Sequence, residues 1–416
     1  MESLKIAVAS DWFYPKIGGI ETHIDELASH LAAAGHEVHV FTHDYRHYDW
    51  SGAEPGRPYI IHRLRGSVYM KCCHVSLGAG ALREANRVYK KVGFDITHVH
   101  SLYSPLAVAI ANLSRGIRGV PVVATNHSLF SWNSKAARLF LPLLRRELRR
   151  IDAFIAVSSV VAEDTRRLLG RRLLFKPIHV VPNAIEPGFW RPPEPQEREA
   201  ARAKLGVPGD EPVVLVVGRF TRRKAVHEAP SIVYRAARRA GRRLHLVIIG
   251  DGPTRPLVEE EARRFNGEHL RVRILGFMGR EELRAAYWAG DVLLLTSRME
   301  AFSITALEAM AAGVVAVGYS DSGVRDILGD GAGVLVRSRD EAAEAISKLV
   351  ADTASLEEMR RRAVAKVQEE YSWETVLPRI VEIYRSVAEY AAAEDHEYLL
   401  HRLWLRLSQH LGRRRA

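Results

Sequence analysis

Short apolar runs alternate with stretches of helical periodicity along most of the chain, and the alternation begins a second time near the middle. Runs at Lys5–Ala9, Glu37–Thr42, Tyr59–Leu64, Ile96–Val99, Val122–Thr125, Phe154–Val157 and His179–Val181 read as strands. Apolar residues at helical spacing fill several intervals, as in Ile20–Ala34, Ala81–Lys91, Leu106–Leu113 and Ala136–Arg149. Pro187–Pro212, with Pro192, Pro193, Pro195 and Pro208, breaks the pattern and predicts a linker holding one short helix. Strand runs then resume at Val213–Val217, Leu244–Ile249, Val272–Leu275, Val292–Thr296 and Val314–Gly318, and Asp340–Tyr390 reads as helical.

Two successive βαβ arrays predict an α/β protein with two doubly wound, Rossmann-like parallel sheets. The expected division is an N-terminal Rossmann-like domain over 1–190, a Pro-rich linker over 191–211, a C-terminal Rossmann-like domain over 212–371, a closing helix over 372–390 and a basic tail over 391–416. In such sheets ligands collect at the carboxyl ends of the strands, so the expected site is a central cleft faced by both domains.

Composition narrows the setting. At 416 residues and 46.6 kDa the chain can bury two cores, and it holds no run of the ~18 apolar residues that a spanning helix needs. Met1–Lys5 leads directly into a strand and lacks a signal-peptide layout. Cys72 and Cys73 are adjacent, poor geometry for a structural disulfide, which places the chain in a reducing compartment. Abundant Arg with scarce Asn and Gln matches a thermophile's composition. The net charge of +11 is uneven: residues 1–190 carry 24 Lys and Arg against 16 Asp and Glu, residues 191–401 carry 31 against 33, and the last 15 carry five Arg and no acid. A basic first half and tail suit an anionic lipid surface at least as well as a nucleic acid, which would want basic and aromatic residues on one face.

Candidate chemistry lies at predicted strand ends. Glu300-Ala-Phe302-Ser303-Ile304-Thr-Ala-Leu-Glu308 follows a strand, with Ser303 as a helix N-cap. Backbone N–H groups there can take phosphate oxygens, and the two carboxylates, Glu300 and Glu308, can take sugar hydroxyls. Gly18-Gly19 opens the first helix and lets a ligand approach the backbone. Arg219 and Lys224, five apart after another strand, can converge on a pyrophosphate and stabilise its charge as a leaving group. Gly250-Asp251-Gly252-Pro253 reads as a turn, with Pro253 suited to a first helical position and Asp251 a possible second contact. His127 follows a strand end in Thr125-Asn126-His127-Ser128 and reaches the expected cleft. Neither G-x-G-x-x-G, a Walker loop, H-E-x-x-H, a Cys/His cluster nor D-x-D is present, which argues against NAD, P-loop and metal-dependent chemistry.

These motifs, in this order, resemble glycosyltransferase family 4, enzymes of the GT-B fold, over residues 4 to about 390. Ser10–His23, Asn126–Phe130, Val181–Ile185 and Glu300–Phe302 are most similar to the enzymes that begin glycosylphosphatidylinositol-anchor synthesis, and more distantly to bacterial phosphatidylinositol mannosyltransferases. The resemblance implies that Gly18, Gly19, Arg219 and Lys224 meet the donor pyrophosphate and that Glu308 holds the ribose. It implies that Glu300 with Phe302, Ser303 and Ile304 grips the sugar and phosphates, and that His127 lies near the reacting carbon. It further implies retention of anomeric configuration and no metal or other cofactor, and it gives no enzymic nucleophile. Two positions depart from the family: Ala225 stands where Gly usually follows Lys224, and Asn126 where the anchor-synthesis enzymes have Asp.

Past Tyr390, Leu399, Leu400, Leu403, Trp404, Leu407 and Leu411 recur at helical spacing among Arg402, Arg406 and Arg413–Arg415. This pattern suits an amphipathic helix on anionic lipid, packing on the protein, or self-association. The expectation is a cytoplasmic, peripheral enzyme at the inner face of the cell membrane, moving a sugar from a nucleotide donor, UDP-N-acetylglucosamine by resemblance, to an inositol-type phospholipid. The alternatives are a mannosyl- or glucosyltransferase acting on another lipid or a soluble polyol phosphate, and a non-catalytic nucleotide-sugar-binding protein. No nucleic-acid partner is expected.

Overall fold

The computed structural model describes residues 3–14, 18–44, 56–65, 68–70, 75–77, 79–209 and 211–412; for 68–70, 75–77 and 394–412 it describes the backbone alone. Cys72, Cys73 and Arg413–Arg415 lie outside the described residues, as do the side chains of the apolar tail positions. The chain forms two compact units: residues 1–156, 164–181 and 377–416, and residues 157–163 and 182–376.

The first unit is built on a seven-stranded sheet. Its strands are β1 (Lys5–Ala9), β2 (Glu37–His43), β3 (Ile60–Leu64), β6 (Ile96–His100), β7 (Val122–Asn126), β8 (Ala153–Ala156) and β9 (Ile178–Val180). A small antiparallel pair, β4 (Val68–Met70) and β5 (Val75–Leu77), lies outside it. The sheet order is β3-β2-β1-β6-β7-β8-β9, and all its pairings are parallel. Phe41, Tyr89, Phe94, Ile110 and Phe154 fill the core on one side.

The second unit repeats the plan with β10 (Val213–Val217), β11 (Leu244–Ile249), β12 (Leu270–Leu275), β13 (Val292–Leu294), β14 (Val315–Tyr319) and β15 (Val334–Val336), in the order β12-β11-β10-β13-β14-β15. Every predicted strand is present, with ends shifted by up to about two residues. The three-residue strands β4, β5 and β15 escape the sequence reading.

Asp291, at the foot of β13, organises the amino-terminal edge of the second sheet. Its carboxylate accepts from the Val213 N–H at 2.8 Å, from Arg198 at 2.6 Å and from Arg360 at 2.6 Å, with Arg202 at 3.5 Å. Arg198 and Arg202 come from Pro195–Lys204, the helix foreseen inside the Pro-rich segment, which the structure assigns to the second unit. Arg360 comes from the helix Thr353–Glu370. Burial pushes the Asp291 carboxyl up, but Arg198, Arg360, the Val213 N–H and Arg202 outweigh it and hold the group below the usual range.

A single helix, Trp373–Gly412, ends the described chain, and from Leu377 onward it belongs to the first unit. Tyr384, fully buried, hydrogen-bonds His98 Nδ1 on β6 at 2.6 Å. No helix among the described residues is long and apolar enough to cross a membrane.

Replacing Asp291 with Ala strands three guanidinium groups on a partly buried edge. The expected cost to the second unit is about 3–5 kcal/mol, read as a loss of its urea transition midpoint, with the first unit's transition unmoved.

Candidate functional site

Parallel strand order reverses once in each sheet, between β1 and β6 and between β10 and β13. At a reversal the connections depart to opposite sides and leave a crevice beyond the carboxyl ends. The residues singled out in the sequence fall into two sets around these points.

In the second unit, the loop after β10 carries Arg219 and Lys224 and the loop after β13 carries Glu300. Lys224 Nζ and Glu300 Oε2 are 2.7 Å apart, an ion pair between motifs 76 positions apart. The Lys224 carbonyl accepts from the Thr296 hydroxyl at 2.6 Å, which fixes the first loop against the second. Arg219 is exposed and pairs with no carboxylate among the described residues.

Ser303 caps the helix Ile304–Ala311, accepting from the Ala306 N–H at 3.3 Å, as its position predicted. Phe302, Ser303, Glu300 and Glu308 are all buried, an unusual state for two glutamates. Glu308 Oε2 accepts the Tyr287 hydroxyl at 3.0 Å; burial, then the neighbouring Glu308 charge, pushes that hydroxyl well up, so it stays a donor.

Asp251 and its glycines have a structural task. Asp251 accepts from the Gly252 N–H at 2.7 Å and pairs with Arg255 at 3.1 Å. A Cβ on Gly250 would stand 2.1 Å from the Gly218 carbonyl oxygen, and one on Gly252 2.5 Å from that of Phe220. The two loops therefore pack backbone to backbone. Pro253 precedes the helix rather than opening it: the helix is Arg255–Phe265, with Pro256 in its first turn.

Ala225 adopts a left-handed conformation, φ 49° and ψ 32°, which accounts for glycine at the same point in the family pattern. Two residues near Glu300 carried no sequence signal. Gly323 donates to the Glu300 carbonyl at 2.6 Å, and a Cβ there would lie 2.0 Å from the Ala301 oxygen. Ser297 is buried, and its hydroxyl has no partner among the described residues.

In the first unit, Gly18 is the N-cap of the helix Gly19–Ala33, and a Cβ on it would stand 2.6 Å from the Glu21 carboxylate, which would have to shift. His127 follows β7 and joins a buried imidazole cluster. His100 Nδ1 and His127 Nε2 are 2.9 Å apart with rings stacked, and the His23 ring centroid is 5.1 Å from that of His127. Ring nitrogens of His23, His100 and His127 lie within 4.8 Å of one another, a spacing that can hold a metal ion. They come from a helix, a strand end and a loop, so no linear metal motif announces them. Asn126 closes the turn before His127, accepting from the Ser128 N–H at 3.1 Å and donating to Thr165 at 3.0 Å.

Burial lowers the pKa of His23 to about 3, and burial followed by the His23 charge lowers that of His98 to about 3. His100 and His127 are held well below the ordinary value by burial first and neighbouring imidazoles second. The cluster is therefore neutral near pH 7 and offers lone pairs and N–H donors rather than charge.

Two Rossmann-like units, each with polar loops at its reversal point, and one of them pairing a cation with a buried carboxylate beside a capped helix, match the architecture of a GT-B glycosyltransferase. Residues 17–189 match the model for glycosyltransferase family 4 and residues 197–368 that for glycosyl transferases group 1. The chain is a glycosyltransferase of the GT-B fold, similar to family 4 in its first half and to group 1 in its second. It is 29% identical to a human phosphatidylinositol N-acetylglucosaminyltransferase polypeptide, over 92% of this chain and 76% of the human one. It is also 29% identical to alpha-maltose-1-phosphate synthase of Mycolicibacterium smegmatis, over 92% of this chain and all of that one. Among solved structures, Anabaena Alr3699/HepE in complex with UDP-glucose superposes with a TM-score of 0.72 at 19% identity, covering 92% of this chain and 100% of that one.

Two outcomes follow from this geometry. Unfolding hands a proton to each depressed histidine, so the unfolded state binds more protons below its own pKa near 6.5, down to about 3 for His23 and His98. Stability is complete above about pH 6.5 and falls below it, by up to about 1.4 kcal/mol per pH unit per histidine, measurable as proton uptake during denaturation of the first unit. Ala225→Gly relieves the left-handed strain and should raise the second unit's stability by about 1 kcal/mol, while Gly323→Ala should lower it by about 1–3 kcal/mol in the same urea titration.

Proposed function

We propose that this enzyme transfers N-acetylglucosamine from UDP to a hydroxyl of an inositol-type phospholipid, with retention of anomeric configuration. The observation that carries the donor side is the Lys224–Glu300 pair beside the capped helix at Ser303. Lys224 and the exposed Arg219 supply positive charge for a pyrophosphate, the backbone N–H groups of Phe302–Ile304 supply donors, and Glu300 supplies an acceptor for sugar hydroxyls. By the family resemblance Glu308 takes the ribose hydroxyls, Gly18 and Gly19 approach the phosphates, and Asp251 contributes through the loop it closes. His127, neutral and backed by His100, meets the donor sugar. The acceptor side draws on the likeness to the human phosphatidylinositol enzyme.

In this reading the acceptor hydroxyl attacks the anomeric carbon on the face from which the nucleotide leaves. The carbon–phosphate oxygen bond breaks, the new glycosidic bond forms, and the hydroxyl proton passes to the departing phosphate. Arg219 and Lys224 meet the charge that a metal meets in other transferases, so the reaction needs no cofactor. Equal likeness to alpha-maltose-1-phosphate synthase favours one second reading, a hexosyltransferase acting on a soluble phosphorylated acceptor.

The test is transfer from a panel of UDP-, GDP- and ADP-sugars, with phosphatidylinositol vesicles or with soluble sugar and polyol phosphates. The expected result is lipid-stimulated release of UDP from UDP-N-acetylglucosamine, unaffected by EDTA and lowered about 10²-fold or more by Glu300→Gln or Lys224→Ala. Gly18→Ala should lower turnover through the lost backbone approach, with the urea transition of the first unit measured alongside it. Turnover only with soluble phosphates would replace the lipid acceptor, and failure to bind any nucleotide sugar would end the transferase reading.

A further inference from the structure

The helix Lys135–Glu147 has apolar residues on two faces. Ala137, Leu141 and Leu144 pack on the first unit's core, which accounts for one of them. Leu139, Phe140 and Leu143 face outward, with 78%, 63% and 54% of their surface exposed. At 100° per residue Leu139 and Leu143 lie opposite the packed face, so no fold requirement explains them. The helix is capped by Ser134 and has no fully buried residue. Beyond it, Leu174 and Phe175 are also exposed, at 53% and 79%.

Basic residues surround these side chains. Residues 135–150 carry six Lys and Arg against one acid, and residues 164–176 carry five against one. Arg145 joins the two segments, donating to the Leu168 carbonyl at 2.7 Å and the Arg167 carbonyl at 3.1 Å. Arg138, Arg149, Arg166, Arg171 and Arg172 pair with no carboxylate among the described residues. Where the segments meet, a cavity of about 480 Å³ is lined by Arg149, Arg172, Leu173, Phe175 and Lys176. Three cations there surround a space roomy enough for a phosphate, with an aromatic ring beside it.

We propose that this face, the outer side of Lys135–Glu147 with Leu174, Phe175 and the Arg149–Arg172–Lys176 cavity, docks the protein on an anionic phospholipid bilayer. The apolar side chains enter the headgroup boundary, the arginines meet lipid phosphates, and the cavity takes one headgroup phosphate. An acidic protein would match the charge but would leave three large apolar side chains on one helix without a hydrocarbon partner. The inference rests on the lipid-acceptor reading for its purpose and not for its geometry. It places the membrane contact on the first unit, apart from the C-terminal segment whose apolar spacing also suits lipid.

The test is co-sedimentation of the full chain with phosphatidylcholine vesicles, with and without phosphatidylglycerol. No inositol lipid is present, so acceptor recognition cannot contribute. Binding is expected only with phosphatidylglycerol, and it should weaken as salt rises. The triple variant Leu139→Ser, Leu143→Ser, Phe175→Ser should bind about tenfold or more weakly, as should Arg149→Glu with Arg172→Glu. Lipid-free hydrolysis of the donor and the thermal transition should stay as in the wild type. Equal binding by the wild type and both variants would overturn the proposal, as would binding lost only on Leu→Ser changes at 399–411. Wild-type dimers that the triple variant dissociates, with vesicle binding kept, would make the face a protein interface instead. A wild type that binds vesicles but transfers no sugar would leave the docking face standing and remove the proposed reaction.

Discussion

The reversal of strand order in each parallel sheet governs where chemistry can occur. Strands β1 and β6, and β10 and β13, are neighbours whose following connections leave in opposite directions. Helices that would otherwise close the sheet edge part at that point, leaving an opening bounded by loops and helix N-termini. The Lys224–Glu300 pair, the capped helix at Ser303 and the histidine cluster all lie around these openings. Their residue types follow from the setting: backbone donors are already present, so side chains supply the cations and acceptors that the backbone lacks.

The electrostatics of the second unit are internally balanced before any ligand arrives. Glu300 is buried and keeps its ion pair with Lys224, so neither group is stranded. In the proposed reading, a donor pyrophosphate competes with Glu300 for Lys224, so that binding exchanges partners rather than burying a new charge.

The repeated βαβ plan was legible because each strand is a run of several apolar residues bounded by turn signals. The N-cap at Ser303 was legible for the same reason, since a cap is a local event. What escaped the sequence depends on approaches between distant loops. Gly323 matters because of the carbonyl of Ala301, and Gly250 because of the carbonyl of Gly218. Neither glycine differs from a turn glycine until those contacts are known. The imidazole cluster escaped likewise, because His23, His100 and His127 belong to three elements and no spacing links them. Pro253 misled for a local reason: the close approach of Gly252 to Phe220 occupies the residues that would have begun the helix, and the helix starts two positions later.

The bond between His98 and Tyr384 joins positions 286 apart in sequence. His98 sits in the middle of the first sheet, yet its partner lies beyond the body of the second unit in sequence. A chain emerging from the ribosome therefore carries a nearly complete first unit whose central imidazole must wait until the whole second unit has passed. Contacts of such long sequence separation are slow to form, whereas the second unit draws all but its 157–163 segment from the unbroken run 182–376. The amino-terminal half, although synthesised earlier, is thus the part whose final packing is deferred until the residues around Tyr384 have been made.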